Sequence, residues 1–529
     1  MEPEIRTLVD ISDSPAALKG RVDLVLERAR WASFEFQRLD RDAVMRIVDA
    51  VAEVAHEKAA KYAEWAVEEA GFGVAAHKRL KNEMTARPLV DFYRNEDFVN
   101  PRIDEARKIV EIPRPAGVIF ALTPSTNPIA TVNFKTILAM LTRNAIVMSP
   151  HPAVRECSVD AVHAMTRAAV DAGAPEGVIQ VVEDPNIPLI EAFMGSDKTD
   201  VILATGGTAM VRTAYSSSNP AIGVGPGNAP VFVDASADIK LAAQRIVDSK
   251  CFDNSILCTN ESTLITLEEV DQNLRRSLQN AGAYICDEDE TKLLRNYLYH
   301  ERGFNVAALG QDAMWIANQV GMNVPSKTRI LVTPITQIGI EEPLSKEKLC
   351  PVLSYYVAKS VDQAIAQARA VLRLTGAGHS AAIHTQDERV AMAYASTVES
   401  YRVVVNAPCS QGASGFETNL APSFTIGTGY FGRSSVGENI RPDHLVHWTR
   451  LAYNSDPLEQ MGNYHGLSHQ LDGPLPKAPA DGVPGETRQS NSFRGVTSPG
   501  DGSRGGIDQG VRDELRQLIA EELRNVLKK

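Results

Sequence analysis

The chain has little of what marks several protein classes. Basic residues form no long run: 54 Lys and Arg stand against 66 Asp and Glu, for a formal net charge of -12. A surface that binds nucleic acid or an anionic membrane needs clustered cations, so neither is expected as a partner. No uninterrupted apolar stretch approaches the ~18 residues that a membrane-spanning helix needs. The opening residues, Met1-Glu-Pro-Glu-Ile-Arg, are acidic and lack the apolar segment of a secretory signal, so a cytoplasmic chain is expected. Cysteine is sparse: the six at 157, 251, 258, 286, 350 and 409 fit neither a zinc motif nor a disulfide framework. Each is expected as a reduced thiol, and no metal site is expected.

What is present reads as a large α/β body. At 529 residues the chain is too long for one ordinary core. The first ~95 residues carry apolar positions at three- and four-residue spacing, as in "RDAVMRIVDAVAEVAHEKAAKYAEWAVEEAG", which predicts helices. Short β-rich runs then alternate with helical segments. "AGVIFAL" (116–122) precedes an amphipathic stretch from about Thr131 to Thr142, then "NAIVMSP" (144–150), a helical run over 154–173, and "GVIQVVE" (177–183). That rhythm predicts a sheet with parallel crossovers. From about 456 to 506 the chain is rich in Pro, Gly, Ser and Asp and cannot bury enough surface to offset its ordering entropy, so a disordered linker is expected. Periodicity returns at 507–529, where Ile507, Val511, Leu515, Leu518, Ile519, Leu523 and Val526 form one apolar stripe opposite a charged face.

Three stretches carry chemistry. "VILATGGTAMV" (201–211) is a strand-like run, a Gly-Gly turn and a helix start, where backbone N–H groups can meet a phosphate. It lacks the G-x-G-x-x-G spacing, and a Gly-Gly turn taken alone is more often just a turn. "IGVGPGNAPVFVD" (222–234) packs three glycines before another strand and has the same two readings. "FDNSILCTNES" (252–262) sets Cys258 between an apolar pair and a polar run. A lone cysteine in such a place is usually a small buried hydrophobe.

Taken together with "TPSTNP" (123–128), "SPHP" (149–152), "EKLCPVL" (347–353), "GAGHS" (376–380) and "LAPSFTIGTG" (420–429), these blocks are colinear from about residue 20 to 450. In them the chain closely resembles the CoA-acylating aldehyde dehydrogenases, including the microcompartment-associated branch of that superfamily. The resemblance implies a doubly wound NAD(P)-binding domain over 1–230 with an oligomerisation arm near 108–115, a catalytic domain over 231–420 bearing the nucleophile, and a return to the cofactor domain over 421–455. It implies Cys258 as nucleophile, because only a thiolate adds readily to an aldehyde carbonyl. Asn127 matches the oxyanion-hole asparagine, to be joined by the Cys258 backbone N–H; its plainer reading is a turn former before Pro128. His379 matches a histidine of the acylating branch, able to exchange a proton near neutrality at its ordinary pKa of ~6.5, or simply a loop residue. Thr123, Pro124, Ser149, His151, Thr205, Gly206, Gly207 and Gly225 match the cofactor-binding turns, and Glu347 the glutamate that holds the nicotinamide ribose. NAD is implied, with NADP possible because no carboxylate stands in Ser149-Pro150-His151-Pro152 to repel a 2′-phosphate; coenzyme A is implied as co-substrate.

An absence sharpens the resemblance. Hydrolytic members carry a glutamate just before the glycine-rich turn, where it activates water. Aligned on Pro230, that place is held by Val224, which accepts no proton. A thioester on Cys258 would then wait for CoA thiol. Two alternatives stay open: a hydrolytic enzyme giving a carboxylate, and a catalytically silent structural cargo protein. A bifunctional alcohol dehydrogenase is not expected, since no His-rich iron-site segment follows residue 455. The partners implied are a short-chain aldehyde, CoA and further copies of the chain as a dimer or tetramer. The 507–529 helix resembles the encapsulation peptides of bacterial microcompartment cargo, which implies shell or cargo proteins as its partners and a microcompartment lumen as the location.

Overall fold

Helical periodicity in the first third takes shape as α1 (Pro15–Phe36), α2 (Arg41–Glu57), α3 (Ala59–Ala70), α4 (Ala75–Met84) and α5 (Arg87–Tyr93) in the computed structural model, which describes residues 14–300 and 303–469. The Ser14 hydroxyl accepts from the Ala17 N–H to start α1, and Pro15 follows where a missing N–H costs nothing. In α2, Val44, Ile47, Val48, Val51, Ala52 and Ala55 form the buried stripe that the spacing predicts.

The chain then enters β1 (Arg102–Asp104) and β2 (Ile109–Pro115), an antiparallel pair. From there it builds a five-stranded sheet of β3 (Val118–Leu122), β4 (Ala145–Ser149), β5 (Ile179–Val181), β6 (Val201–Thr205) and β7 (Ala221–Val224), in the order β5-β4-β3-β6-β7 with every pair parallel. The first strand is central, and the chain turns to opposite sides of it after β3 and before β6. Connections that diverge in this way leave a crevice beyond the carboxyl ends of the strands.

α6 (Pro128–Leu141) crosses from β3 to β4 and departs from expectation: all of its residues are buried, so it is not amphipathic. α2 and α4 cover the face that would otherwise meet water. Its polar side chains are satisfied inside: Thr131 Oγ1 donates to Asn127 O at 2.6 Å, and Lys135 Nζ donates to Leu122 O at 2.7 Å and Leu203 O at 2.8 Å.

After Gly225-Pro226-Gly227-Asn228 the chain passes into a second, seven-stranded sheet. Its strands are β8 (Ala229–Val233), β9 (Glu261–Leu267), β10 (Ala283–Ile285), β13 (Ile330–Pro334), β14 (Val352–Ala358), β15 (Ala381–His384) and β16 (Val403–Val405). The order is β10-β13-β14-β9-β8-β15-β16, again wholly parallel. β11 (Tyr299–His300) and β12 (Gly303–Phe304) form a small hairpin outside it. β17 (Val446–Ala452) returns to pair antiparallel with β2, and most of its side chains face solvent. The architecture is thus α/β with two parallel sheets. Of the expected linker, residues 456–469 are described and contain turns but neither helix nor strand. The rest of it and the 507–529 helix lie outside the described residues.

Candidate active site

The crevice beyond β3 and β6 holds a cleft of about 320 Å³. Its walls come mainly from four places distant in sequence: the turn after β3 (Pro124 to Asn127), the turn after β6 (Thr205 to Gly207), the connection from β7 to β8 (Val224 to Pro226), and the approach to β9 (Ile256 to Thr259), with Leu309, Leu349 and residues between Ser414 and Ile426 adding to them. His151, Glu347, Ser414 and Ser423 are among the further polar residues of the lining. The structure therefore brings Cys258, Asn127, Pro124, His151, Thr205, Gly206, Gly207, Gly225 and Glu347 to one place. It leaves Thr123, Ser149 and His379 out of the lining. Thr123 and Ser149 sit at the ends of neighbouring strands, Thr123 N donating to Ser149 O at 3.1 Å, with both hydroxyls buried and without a partner among the described residues.

Cys258 is presented by an unusual backbone. After the helix Ile239–Cys251, three consecutive non-glycine residues, Asp253, Asn254 and Ser255, take positive φ of 48°, 51° and 63°. Left-handed conformation costs such residues roughly 1–2 kcal/mol each, so surrounding contacts must hold them there. α4 does most of this. Asp253 N donates to His77 Nδ1 at 2.9 Å, and Asp253 Oδ1 accepts from Val74 N at 2.6 Å. Asp253 Oδ2 accepts from Lys81 Nζ and, at 3.3 Å, from Lys78 Nζ. The Phe252 ring stacks on His77 with centroids 4.7 Å apart, and Asn254 Nδ2 donates to Gly310 O at 2.8 Å.

The same helix reaches the opposite wall. Lys81 Nζ donates to Asn127 Oδ1 at 2.5 Å, and Lys78 Nζ to Thr126 O at 3.0 Å. No motif pointed to α4 in the sequence. The available signal was Asp253 itself: a carboxylate in an otherwise apolar approach demands a buried cation. Its partners lie 172 and 175 residues away, beyond what one sequence reveals.

Gly227 packs directly against the Cys258 backbone. A Cβ there would stand 1.9 Å from Cys258 O, so only a hydrogen fits between the two backbones. Gly227 N donates to Glu347 Oε1 at 3.0 Å.

The electrostatics follow from these placements. Desolvation by the cleft walls pushes the Cys258 thiol up to about 12, and Glu347 adds to the rise; Arg402 and Lys81 oppose it. Burial raises Glu347 to about 8, opposed by the Gly227 N–H, Lys250 and Lys348. Burial alone would raise Asp253, but Lys81 and Lys78 outweigh it and hold the carboxyl below its usual range. Arg402 spends its guanidinium on backbone carbonyls: His379 O and Gly378 O at 2.7 Å each, Gly437 O at 2.9 Å, and Gly427 O. Of the two readings of His379, the burial of its ring favours the loop residue: burial, with Arg402 adjacent, lowers its pKa to about 3. Its Nδ1 meets Ser380 Oγ at 2.9 Å and its Nε2 has no partner among the described residues.

A pH experiment reads the raised thiol directly. In the ligand-free enzyme, carbamidomethylation of Cys258 by iodoacetamide should climb about tenfold per pH unit from 7 to 10, because only the thiolate reacts and its fraction rises with pH well below the pKa. Peptide mass mapping measures the rate; a plateau at or below pH 8.5 would contradict the raised value.

The model of the aldehyde dehydrogenase family matches residues 6–290. The aldehyde-alcohol dehydrogenase of Clostridium acetobutylicum is 38% identical over 418 residues, which are 78% of this chain and 47% of that protein. The chain spans about half the length of the curated aldehyde-alcohol dehydrogenases it matches. An acetylating aldehyde dehydrogenase from Geobacillus thermoglucosidasius superposes with a TM-score of 0.82 at 36% identity, covering 86% of this chain and 100% of that one. The propionaldehyde dehydrogenase from the fucose utilisation bacterial microcompartment of Clostridium phytofermentans gives 0.75 at 28% identity, covering 82% and 97%.

Proposed function

The chain belongs to the aldehyde dehydrogenase family, and on that premise we propose that it is a CoA-acylating aldehyde dehydrogenase, oxidising a short aldehyde to its acyl-CoA. One observation carries the reading. Cys258 and Asn127 share a cleft whose wall at position 224 is a valine, 3% exposed, and whose lining has Glu347 as its one carboxylate, already held by the Gly227 N–H.

The cleft suits a nicotinamide dinucleotide. The helix Thr208–Ser216 starts at Gly207 with no side-chain cap, so its first N–H groups are available to a pyrophosphate beside Gly206 and Gly207. Glu347 and His151 would bind the remainder. When bound, the dinucleotide supplies the hydride acceptor.

The chain's own residues do the rest. The Cys258 thiolate forms a bond to the carbonyl carbon, and the carbonyl oxygen becomes an alkoxide that Asn127 Nδ2 and the Cys258 N–H can stabilise. Departure of hydride leaves an acyl group in thioester linkage to Cys258. With no base at 224, water attacks slowly. CoA thiolate attacks instead, the Cys258 sulfur leaves, and acyl-CoA forms with the thioester bond conserved. The apolar wall of Ile256, Leu257, Leu309 and Ile426 favours a short aliphatic aldehyde.

A panel of two- to four-carbon aldehydes tests this. Reduced dinucleotide should accumulate in steady state only with CoA present, and mass spectrometry should find a thioester product. Without CoA, about one equivalent per active site should form, followed by very slow hydrolysis. Equal rates with and without CoA, giving free acid, would establish the hydrolytic reading.

The enzyme's proposed location is the lumen of a bacterial microcompartment. The microcompartment origin of one structural relative and the apolar stripe between Ile507 and Val526 support an enzyme carried into a microcompartment by its tail, docked helix-in-groove. Deleting residues 500–529 should leave purified activity unchanged and abolish co-purification with shells. Retained co-purification would remove the tail as an address.

A further inference from the structure

We propose that Lys81 is the positioning residue of this cleft, fixing which end of the Asn127 amide faces the substrate and tying the Asn127 turn to the Cys258 loop. The inference deepens the acylating reading and rests on it.

An amide side chain presents a donor on one end and an acceptor on the other, and the two have nearly the same shape. Something must choose between them, since only the donor end helps an alkoxide. An ammonium makes that choice without ambiguity, because it has three donors and no acceptor. Lys81 Nζ lies 2.5 Å from Asn127 Oδ1, so the oxygen must face the lysine and Nδ2 must face away. One Nδ2 proton meets Thr126 Oγ1 at 3.2 Å; the other has no protein partner among the described residues. Were the amide to turn over, Oδ1 would face the developing alkoxide and repel it.

Lys81 is itself held. It is 2% exposed, and its ammonium also donates to Asp253 Oδ2, whose other oxygen accepts from Val74 N. Lys78 donates to the same carboxylate oxygen at 3.3 Å and to Thr126 O at 3.0 Å. Two lysines and one aspartate, all nearly without exposure, make a poor source of stability, because taking three charges from water costs at least as much as their attraction returns. The geometry gives them another task. Asp253 begins the left-handed turn that presents Cys258, and Asn127 starts α6 on the facing wall. Lys81 bonds to both, so nucleophile and alkoxide donor are set relative to each other through one nitrogen atom.

Lys81→Met keeps the length of the stem and removes the donors. The expected result is a kcat lower by about 100-fold, near the loss for removing one oxyanion donor, with aldehyde KM and dinucleotide affinity changed less than about threefold. A double-mutant cycle with Asn127→Ala separates positioning from bulk structure. If Lys81 acts through Asn127, adding Lys81→Met to Asn127→Ala should lower kcat by less than about threefold more. Multiplying losses, or a Lys81→Met enzyme with wild-type kcat, would overturn the proposal. Lys81→Arg keeps a charge beside Asp253 and serves if the methionine variant does not fold. It displaces the donor, and a kcat loss of about tenfold that disappears in the Asn127→Ala background is expected; a loss that persists there overturns the proposal. Failure of the acylating reading shows elsewhere, as CoA-independent release of free acid by the wild-type enzyme, so the two failures are distinct.

Discussion

Cys258→Ser is expected to lower steady-state turnover by about a thousandfold or more while leaving dinucleotide binding within about twofold. The sulfur contributes nothing to the cofactor turns at Thr205 to Gly207, which belong to the other sheet. Its contribution is ionisation and leaving ability. A hydroxyl in the same place is far less ionised than a thiol at neutral pH, and an oxygen ester would resist CoA where a thioester yields. The remaining cysteines offer no substitute. Cys157, Cys286, Cys350 and Cys409 are buried, and half-buried Cys251 has the Arg329 guanidinium 3.0 Å from its sulfur and lies outside the cleft lining. Stopped-flow absorbance for reduced dinucleotide, with fluorescence titration for binding, measures both quantities. Retention of more than about a tenth of wild-type turnover would place the nucleophile elsewhere.

Gly227→Ala is expected to be nearly as damaging by a different route. The added Cβ would lie 1.9 Å from Cys258 O and 2.8 Å from Cys258 C. Backbone cannot rotate away as a side chain can, so the nucleophile loop must shift by an ångström or more. Displacement of about 1 Å at a reacting group can cost about 100-fold in rate, and the overpacking itself about 1–3 kcal/mol of stability. Turnover should fall at least that far, with a lower thermal midpoint. Gly20→Ala is the matched control: Gly20 lies within α1, where an added Cβ meets nothing within 4 Å. There the midpoint should hold or rise slightly, since alanine is the better helix former by about 0.5–1 kcal/mol. An active, stable Gly227→Ala enzyme would mean that the two backbones are farther apart than the structure places them.

The parallel α/β layers were legible because a doubly covered strand is an apolar run, and β3 and β4 are buried at every residue. The cleft turns were legible because each is a local string. α6 was misread for a nonlocal reason. Thr131, Asn133, Lys135 and Thr136 look like a solvent face until α2 and α4 are folded over them. For His379 the sequence left a proton-exchanging residue and a loop residue side by side, and only its burial beside Arg402 weighs between them. Thr123 and Ser149 belong to the right blocks, yet lie behind the wall rather than in it. Lys78 and Lys81 were passed over because helix residues with ionic heads ordinarily read as surface, and their common partner is encoded far downstream.

α4 joins both walls of the cleft through two almost entirely buried lysines, Lys78 and Lys81, which reach Thr126 and Asn127 on one wall and Asp253 on the other. A strut of this kind opposes parting of the two walls, because separation would leave buried charges unpaired. In the proposed reaction a mouth held in this way favours exchange of ligands by vacancy over exchange by closure. Protection of the acylated intermediate rests on what the walls are made of, which makes the side chain at Val224 the equivalent of a door.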